Sequence, residues 1–171
     1  MGSNGNLPVM PSRFEHRATF AAQADVVLST LVDEAFLTAR LRDIGGKGAA
    51  LLDHRAEGDT AAYRLRQGVD AGKLPGAVRS ILNGDLVVHR EERWRGHESR
   101  GKATIDGVPA QISSQGLLTG RGDGCELLIR AEVKVGIPLV GGKIEKVVAE
   151  QVTRLLAAEA EYAEKWLAER A

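Results

Sequence analysis

The sequence is poor in cysteine, and it carries no excess charge of either sign. Among its 171 residues there is a single cysteine, Cys125. One cysteine cannot form an internal disulfide or a multi-cysteine zinc site, so a disulfide-stapled secreted scaffold is excluded. The formal net charge is zero, with 23 basic and 23 acidic residues, whereas proteins that neutralise many phosphates usually show a basic excess. We therefore expect no nucleic-acid partner.

Long apolar runs are missing as well. No stretch of about 18 apolar residues occurs, so we expect no transmembrane helix. The first nine residues lack a basic segment followed by an apolar core, so we expect no secretory signal peptide. We interpret residues 1–11 as a flexible leader or a remnant of cloning, with Met10 as a candidate natural start. Residues 12–171 are then of a length that favours one domain, and we expect that domain to be cytoplasmic.

The hydrophobic pattern predicts one strand, two short helices and six further strands. Apolar and polar residues alternate over residues 12–20, as in a strand with one wet face. Residues 25–44 change to helical spacing, with Asp33 as the expected N-cap of the second helix and Gly45-Gly46 as its end. Six alternating segments separated by turn residues follow, at 49–56, 60–71, 85–96, 101–107, 111–120 and 125–135. Their short connections favour an antiparallel sheet.

The pattern within residues 139–170 predicts a helix of about 28 residues, which would be roughly 42 Å long. One face of this helix carries a nearly continuous stripe of mostly apolar side chains. The members of the stripe are Val140, Ile144, Val147, Val148, Gln151, Leu155, Tyr162 and Trp166. So long an apolar face needs a large partner, and the predicted sheet is the obvious one. We therefore predict an α+β helix-grip fold, in which a curved antiparallel sheet of about seven strands wraps round the C-terminal helix.

Two passages and the order of elements carry a resemblance to a known family. The passages are Arg13-Phe14-Glu15-His16 and the run Gly136-Ile137-Pro138-Leu139-Val140-Gly141-Gly142-Lys143-Ile144-Glu145. With the topology, they resemble the START-like superfamily, also called SRPBCC or Bet v 1-like, and within it the actinobacterial DUF2505 family of uncharacterised proteins. The resemblance covers residues 12 to about 168. It implies the helix-grip fold, but the superfamily includes lipid and steroid binders, hormone receptors, polyketide cyclases and oxygenase domains, so fold alone selects no function.

Small side chains on the inward faces predict an internal apolar cavity. The chain has only 3 Phe, 2 Trp and 2 Tyr, so few bulky groups are available to fill the space between sheet and helix. The small residues expected to face inward are Ala103, Gly107, Ser114, Gly116, Ala131, Ala158 and Ala163. The alternative is that leucine, isoleucine and valine fill the gap completely.

Six residues are candidates for contact with a ligand in such a cavity. His16 lies on the apolar face of the first strand and could serve as a polar anchor or a general base, or simply as a hydrogen-bonded core histidine. The other candidates are polar or amphipathic residues expected to face inward, for which ordinary packing is the simpler interpretation. They are Tyr63, Gln67, Trp94, Gln115 and Gln151.

Several other conspicuous residues are better explained without special chemistry. His54, His89 and His97 lie on different strands without metal-ligand spacing, so we expect no metal site. The charge-dense run 89–100 could attract an anionic partner, but its interspersed glutamates favour a solvated hairpin with cross-strand ion pairs. Cys125 heads an apolar stripe and is expected to pack in the core.

The sequence therefore favours a binding protein for a hydrophobic small molecule or lipid, with no cofactor. The entrance is expected near the two short helices or the 72–83 segment. An enzyme on the same scaffold, such as a cyclase, dehydratase or hydrolase, is the first alternative, and it would require His16 to converge with an inward Glu92 or Arg90. A protein-interaction module or homodimer is the second alternative, and an exposed apolar patch would indicate it.

Overall fold

A computed structural model describes residues 11–82 and 84–171. The predicted leader 1–11 lies, apart from residue 11, outside the described residues. The elements follow the predicted order, and a 3-10 turn (Ala71–Lys73) and a short helix lie between the third and fourth strands. They are β1 (Ser12–Phe20), α1 (Ala24–Leu31), α2 (Glu34–Ile44), β2 (Ala50–Glu57), β3 (Thr60–Val69), α3 (Gly76–Arg79), β4 (Leu86–Arg95), β5 (Glu98–Ile105), β6 (Val108–Arg121), β7 (Gly124–Val135) and α4 (Gly141–Arg170).

The seven strands form one antiparallel sheet in the order β1-β7-β6-β5-β4-β3-β2. From β2 to β7, neighbouring strands are consecutive in the chain and joined by short turns, except that a longer segment separates β3 from β4. The first strand, β1, pairs with β7 at the other end of the strand sequence. The long helix α4 packs on one face of this sheet, which we call the inner face. The predicted helix-grip fold is confirmed.

The second short helix, α2, begins and ends where the sequence predicted. The Asp33 side chain accepts a hydrogen bond from the backbone N–H of Phe36 over 3.0 Å, which satisfies a free amide in the first turn of α2. Gly45 ends α2, and its N–H donates to the carbonyl of Leu41. Phe36, Leu37 and Leu41 are buried, so α2 is held by an apolar face against the rest of the protein.

The start of α4 is held close to the end of β7. Gly141 is buried, and a Cβ atom at this position would lie only 2.9 Å from the carbonyl oxygen of Val135. The absence of a side chain at Gly141 therefore lets α4 begin close against the end of β7. Glu145, one turn later, is also buried, and its Oε1 accepts from the Val135 N–H over 2.9 Å while its Oε2 accepts from the Ser12 hydroxyl over 3.1 Å. The N-terminal end of α4 is therefore fixed to both β1 and β7.

Buried apolar side chains form two clusters, one towards each end of the molecule. The first contains α1, α2 and the C-terminal part of α4, and Cys125 lies in it, as predicted. The second joins the 71–82 segment to the sheet and the first half of α4. Two small residues expected to face inward do not, because Gly107 occupies a turn with φ of 74° and Ala158 lies on the exposed side of α4. Within residues 11–82 and 84–171, no helix has the length and apolar character needed to cross a membrane.

Candidate functional site

A pocket of about 1260 Å³ lies between the inner face and α4, and we call it the central pocket. Its floor is built from small residues of the middle strands, where the side chains leave space below the helix. These are Ser99, Gly101, Ala103, Ser114 and Ala131. Its roof is one face of α4, formed mainly by branched aliphatic side chains. These are Ile144, Val147, Val148, Gln151, Val152 and Leu155.

The two ends of the central pocket differ in character. One end is aliphatic, because the 71–82 segment and the neighbouring strands supply side chains of the second core cluster. They are Leu74, Val78, Leu82, Leu86, Val88 and Ile105. Exposed charged residues also belong to the lining and mark where the pocket meets solvent. They are Asp43, Lys47, Asp70, Lys73, Asp85 and Arg154. These residues come from α2 and the loop after it, from the segment between β3 and β4, and from α4.

Strand register explains why large polar side chains gather on the part of the floor that β3 and β4 form. Tyr63 of β3 pairs with Glu92 of β4, and Glu92 pairs with Gly101 of β5. In the next row that faces the same way, Leu65 pairs with Arg90, and Arg90 pairs with Ala103. Large polar residues therefore come from β3 and β4, while β5 to β7 supply the small ones.

Arg90 is the centre of a buried polar cluster. Its Nη1 donates to Glu159 Oε2 over 2.8 Å and to Gln67 Oε1 over 3.0 Å. Its Nη2 donates to Glu92 Oε1 over 2.5 Å. Glu159 belongs to α4, so the cluster joins the floor of the central pocket to its roof.

The cluster continues through two aromatic side chains. The Tyr63 hydroxyl donates to Glu92 Oε2 over 2.5 Å and accepts from the indole N–H of Trp94 over 3.2 Å. Both rings are buried. The polar tips of Tyr63 and Trp94 are thus occupied by the cluster, while their apolar surfaces line the pocket.

Arg40 of α2 completes the cluster but is incompletely bonded. Its Nη2 lies 3.6 Å from Glu159 Oε2, which is an ion-pair distance longer than a hydrogen bond. Its Nε and Nη2 have no hydrogen-bond partner, although the residue is only 5% exposed. The guanidinium carbon lies 5.9 Å from the centre of the Phe36 ring, so one face of the group has an aromatic neighbour. The edge that carries Nε and Nη2 has no hydrogen-bond acceptor.

The charges of the cluster keep its members in definite protonation states. Burial works to lower the pKa of Arg90, but the carboxylates of Glu159 and Glu92 outweigh it, and the pKa lies above its usual value. Burial works to raise the pKa of Glu159, but Arg40 and Arg90 hold it below its usual value. Burial and the charge of Glu92 raise the pKa of Tyr63 well above its usual value. At neutral pH the cluster therefore contains ionised Arg90 and Glu159 and an un-ionised phenol.

Five of the six candidate residues from the sequence line the central pocket, and one does not. His16, Tyr63, Gln67, Trp94 and Gln151 belong to the lining. Burial lowers the pKa of His16, which therefore favours its neutral form. The prediction that Gln115 faces the pocket is wrong, because Ser114 faces inward and the adjacent Gln115 is exposed on the outer face.

The charge-dense run 89–100 requires a second correction. The interpretation as a solvated strand holds for Arg93, Arg95 and Arg100, which are exposed on the outer side of the sheet. It is wrong for Arg90 and Glu92, whose side chains are 12% and 20% exposed and form an ion pair inside the pocket. Alternation along β4 turns these two residues inward, and their mutual neutralisation makes burial tolerable.

Sequence reasoning missed Arg40 and Glu159, although helical spacing could have identified both. Arg40 follows buried Phe36 by four residues on α2. Glu159 follows Leu155 by four residues on α4, within the apolar stripe. A charged residue at a core position of each of two helices was the available signal.

The remaining histidines have local structural partners. His54 Nε2 lies 2.7 Å from the Val32 carbonyl oxygen, and His97 Nε2 lies 2.7 Å from Asp25 Oδ1. His89 Nε2 lies 3.2 Å from a carboxylate oxygen of Asp106. In the part of the chain that the structure describes, no three His, Cys, Asp or Glu side chains are grouped to hold a metal ion.

Solved structures with the same fold include a START superfamily protein and an aromatase/cyclase. A START superfamily protein from Mycobacterium smegmatis is 16% identical, with a TM-score of 0.59 over 93% of this chain and 99% of that one. The Zhui aromatase/cyclase from Streptomyces sp. R1128 is 14% identical, with a TM-score of 0.63 over 92% of this chain and 96% of that one. At these identities the similarity shows the START-like fold alone.

Sequence comparison gives a nearer relationship. The uncharacterized protein Rv0481c of Mycobacterium tuberculosis is 28% identical over an alignment of 171 positions, which covers 92% of this chain and 98% of that protein. The family model described as "Protein of unknown function (DUF2505)" matches residues 15–167. This match spans most of the chain and confirms the resemblance drawn from the sequence. The chain therefore belongs to the DUF2505 family, on a START-like scaffold.

Proposed function

We propose that the protein binds an apolar small molecule or a lipid in the central pocket. The observation that carries the proposal is the space of about 1260 Å³ between a floor of small side chains and a roof of aliphatic ones. Small-molecule sites are typically concave, mostly apolar and supplied with a few fixed polar groups. The buried cluster round Arg90 supplies such groups at one side of the pocket.

The apolar part of a ligand gains its binding energy from burial against the roof and the aliphatic end. Burial of about 300 Å² of ligand surface contributes roughly 7 kcal/mol before the cost of association is subtracted. His16, Gln67 and Gln151 offer polar contacts, and Tyr63 and Trp94 offer flat apolar surfaces. We also propose that the protein is cytoplasmic and has no nucleic-acid partner. A homodimer is an alternative arrangement.

Native mass spectrometry of the purified protein, with lipid analysis of an organic extract, tests the proposal. A stoichiometric co-purifying lipid or polyketide supports it. The same measurement on Ala103→Phe, whose ring fills the floor, should show loss of the bound species. Thr104→Phe is the matched control, because the neighbouring residue points to the outer face.

The proposal fails on a specific pattern of results. A clean apo mass that stays clean after challenge with fatty acids, sterols and aromatic polyketides contradicts it. Equal retention of a bound species by Ala103→Phe and Thr104→Phe would place that species outside the central pocket.

An enzyme on the same scaffold is a second candidate, because ionisable groups do line the pocket. His16 favours its neutral form, so it could accept a proton from a bound substrate. The fold is similar to that of an aromatase/cyclase. Incubation with poly-β-carbonyl substrates, followed by mass spectrometry of the products, tests this candidate. Product formation that is lost in His16→Gln favours it over simple binding.

A further inference from the structure

We infer that the ligand of the central pocket is an amphiphile with a carboxylate head group, and that the carboxylate binds the free edge of Arg40. This inference rests on the proposed function and specifies the chemical class of the ligand. It comes from one observation. The buried guanidinium of Arg40 lines the pocket, and two of its nitrogen atoms have no hydrogen-bond acceptor.

The unused donors of Arg40 are adjacent in the guanidinium plane. Nε–H and one Nη2–H point in parallel along one edge, and this edge matches the two oxygens of a carboxylate. Arginine residues often bind carboxylates in this bidentate manner. A buried donor without an acceptor costs free energy, so the free protein leaves this edge in an unfavourable state that an acceptor would relieve.

The protein's own carboxylates are already engaged elsewhere. Glu159 Oε2 accepts from Arg90 Nη1 over 2.8 Å and from Gln67 Nε2 over 3.5 Å, and it stays 3.6 Å from Arg40 Nη2. Glu92 is bonded to Arg90 and to the Tyr63 hydroxyl. Arg40 therefore shares the Glu159 carboxylate with Arg90, which lies closer to it. The Nε and Nη2 atoms of Arg40 are left without an acceptor.

The surroundings of Arg40 suit a head group with an apolar tail. The face of the guanidinium lies near Phe36, which limits the approach to the edge. Away from the cluster, the lining becomes aliphatic along the roof and towards Leu86. An acyl chain attached to the carboxylate would therefore lie under α4, with its methyl end at the aliphatic end of the pocket.

A matched series of ligands tests the inference. Dodecanoate, dodecanol and methyl dodecanoate share one chain and differ in the head group, and each is titrated against a naphthylamine dye bound to the full chain. We expect dodecanoate to bind at least about tenfold more tightly than the ester, as for a charge-assisted bidentate pair. Arg40→Met should reduce this preference to within about threefold.

Arg42→Met is the matched control, because Arg42 lies two residues away on the same helix with its side chain exposed. This variant should keep the full preference for the acid. If Arg40→Met does not fold, carboxyl-labelled dodecanoate and wild-type protein decide the question by carbon NMR. The pKa of the bound carboxyl should lie below that of the free acid, because the guanidinium favours the ionised form.

The outcomes separate this inference from the proposed function. If all three ligands displace the dye equally from wild-type protein, or if Arg40→Met keeps the preference for the acid, the carboxylate assignment is overturned and the binding function stands. If neither the dye nor any member of the series binds, the proposed function is overturned and the carboxylate assignment with it.

Discussion

Arg90 on the sheet and Glu159 on α4 form an ion pair, with Nη1 and Oε2 separated by 2.8 Å. The pair spans the central pocket, and both side chains are buried. A buried ion pair contributes little relative to an apolar pair of the same volume, but removal of one partner leaves an uncompensated charge. The pair therefore makes the pocket sensitive to single substitutions on either side.

We expect Glu159→Gln to destabilise the protein by about 3–5 kcal/mol, because Arg40 and Arg90 both lose their shared carboxylate. Chemical denaturation measures the change in the free energy of unfolding. Glu161→Gln is the control on the same helix, since Glu161 is exposed and pairs with Lys165 over 3.1 Å. Loss of that surface pair should cost no more than about 1 kcal/mol. Equal effects of the two substitutions would contradict the buried role of Glu159.

The two tyrosines provide a second matched comparison. Tyr63→Phe removes the hydroxyl that bonds Glu92 and Trp94, and it should cost about 1–3 kcal/mol because buried polar groups lose their partner. Tyr162→Phe removes a bond to Asp43 at the surface and should cost less than about 1 kcal/mol. Thermal and chemical unfolding measure both. A shift of the fluorescence of buried Trp94 should accompany only the first substitution.

The acid limb of stability should depend on Glu159. Its pKa in the folded protein lies below the usual 4.5, so its stabilising effect is complete above that pH and is lost as the pH falls through the folded-state pKa. The free energy of unfolding of wild-type protein should therefore decline below about pH 4.5 more steeply than that of Glu159→Gln. Parallel curves for the two proteins in this range would show that Glu159 is not the group responsible.

His16 should report on occupancy of the pocket. Its pKa in the folded protein is lowered from 6.5 by burial, and a ligand that displaces water beside the ring should lower it further. Proton NMR of the imidazole in the presence and absence of the dye measures the shift. The ring signals of His89, which is paired with Asp106 outside the pocket, should not move on addition of the dye. Movement of both rings would indicate a change in the whole protein instead.

Gln67 and Gln115 should respond differently to the same substitution. Gln67→Leu removes the acceptor for Arg90 inside the pocket and should weaken binding of the dye severalfold. Gln115→Leu changes an exposed side chain on the outer face and should leave binding unchanged. Competition titration on both variants checks the assignment of faces along β3 and β6. Weaker binding in Gln115→Leu would contradict it.

The sequence predicted the fold well because its signals were local and periodic. The alternation in β1, the cap at Asp33 and the long stripe on α4 each depend on neighbours within a few residues. The facing of Gln115 could have been predicted correctly, because its neighbours Ser114 and Gly116 were expected to face inward and adjacent residues of a strand point to opposite faces. The polar cluster was hardest, because Arg40, Arg90 and Glu159 come together from three elements and only their joint burial explains any one of them.

The attachment of α4 has a mechanical consequence. Glu145 ties one end of the helix to β1 and β7, and Glu159 ties it to β4 about 21 Å further along, at 1.5 Å per residue. Between these two attachments, α4 covers the central pocket. A ligand bound in the pocket would contact the middle of this stretch of the helix. If the proposed ligand binds there, we expect the backbone amides of Val147 to Val152 to exchange with solvent more slowly in the complex than in the free protein.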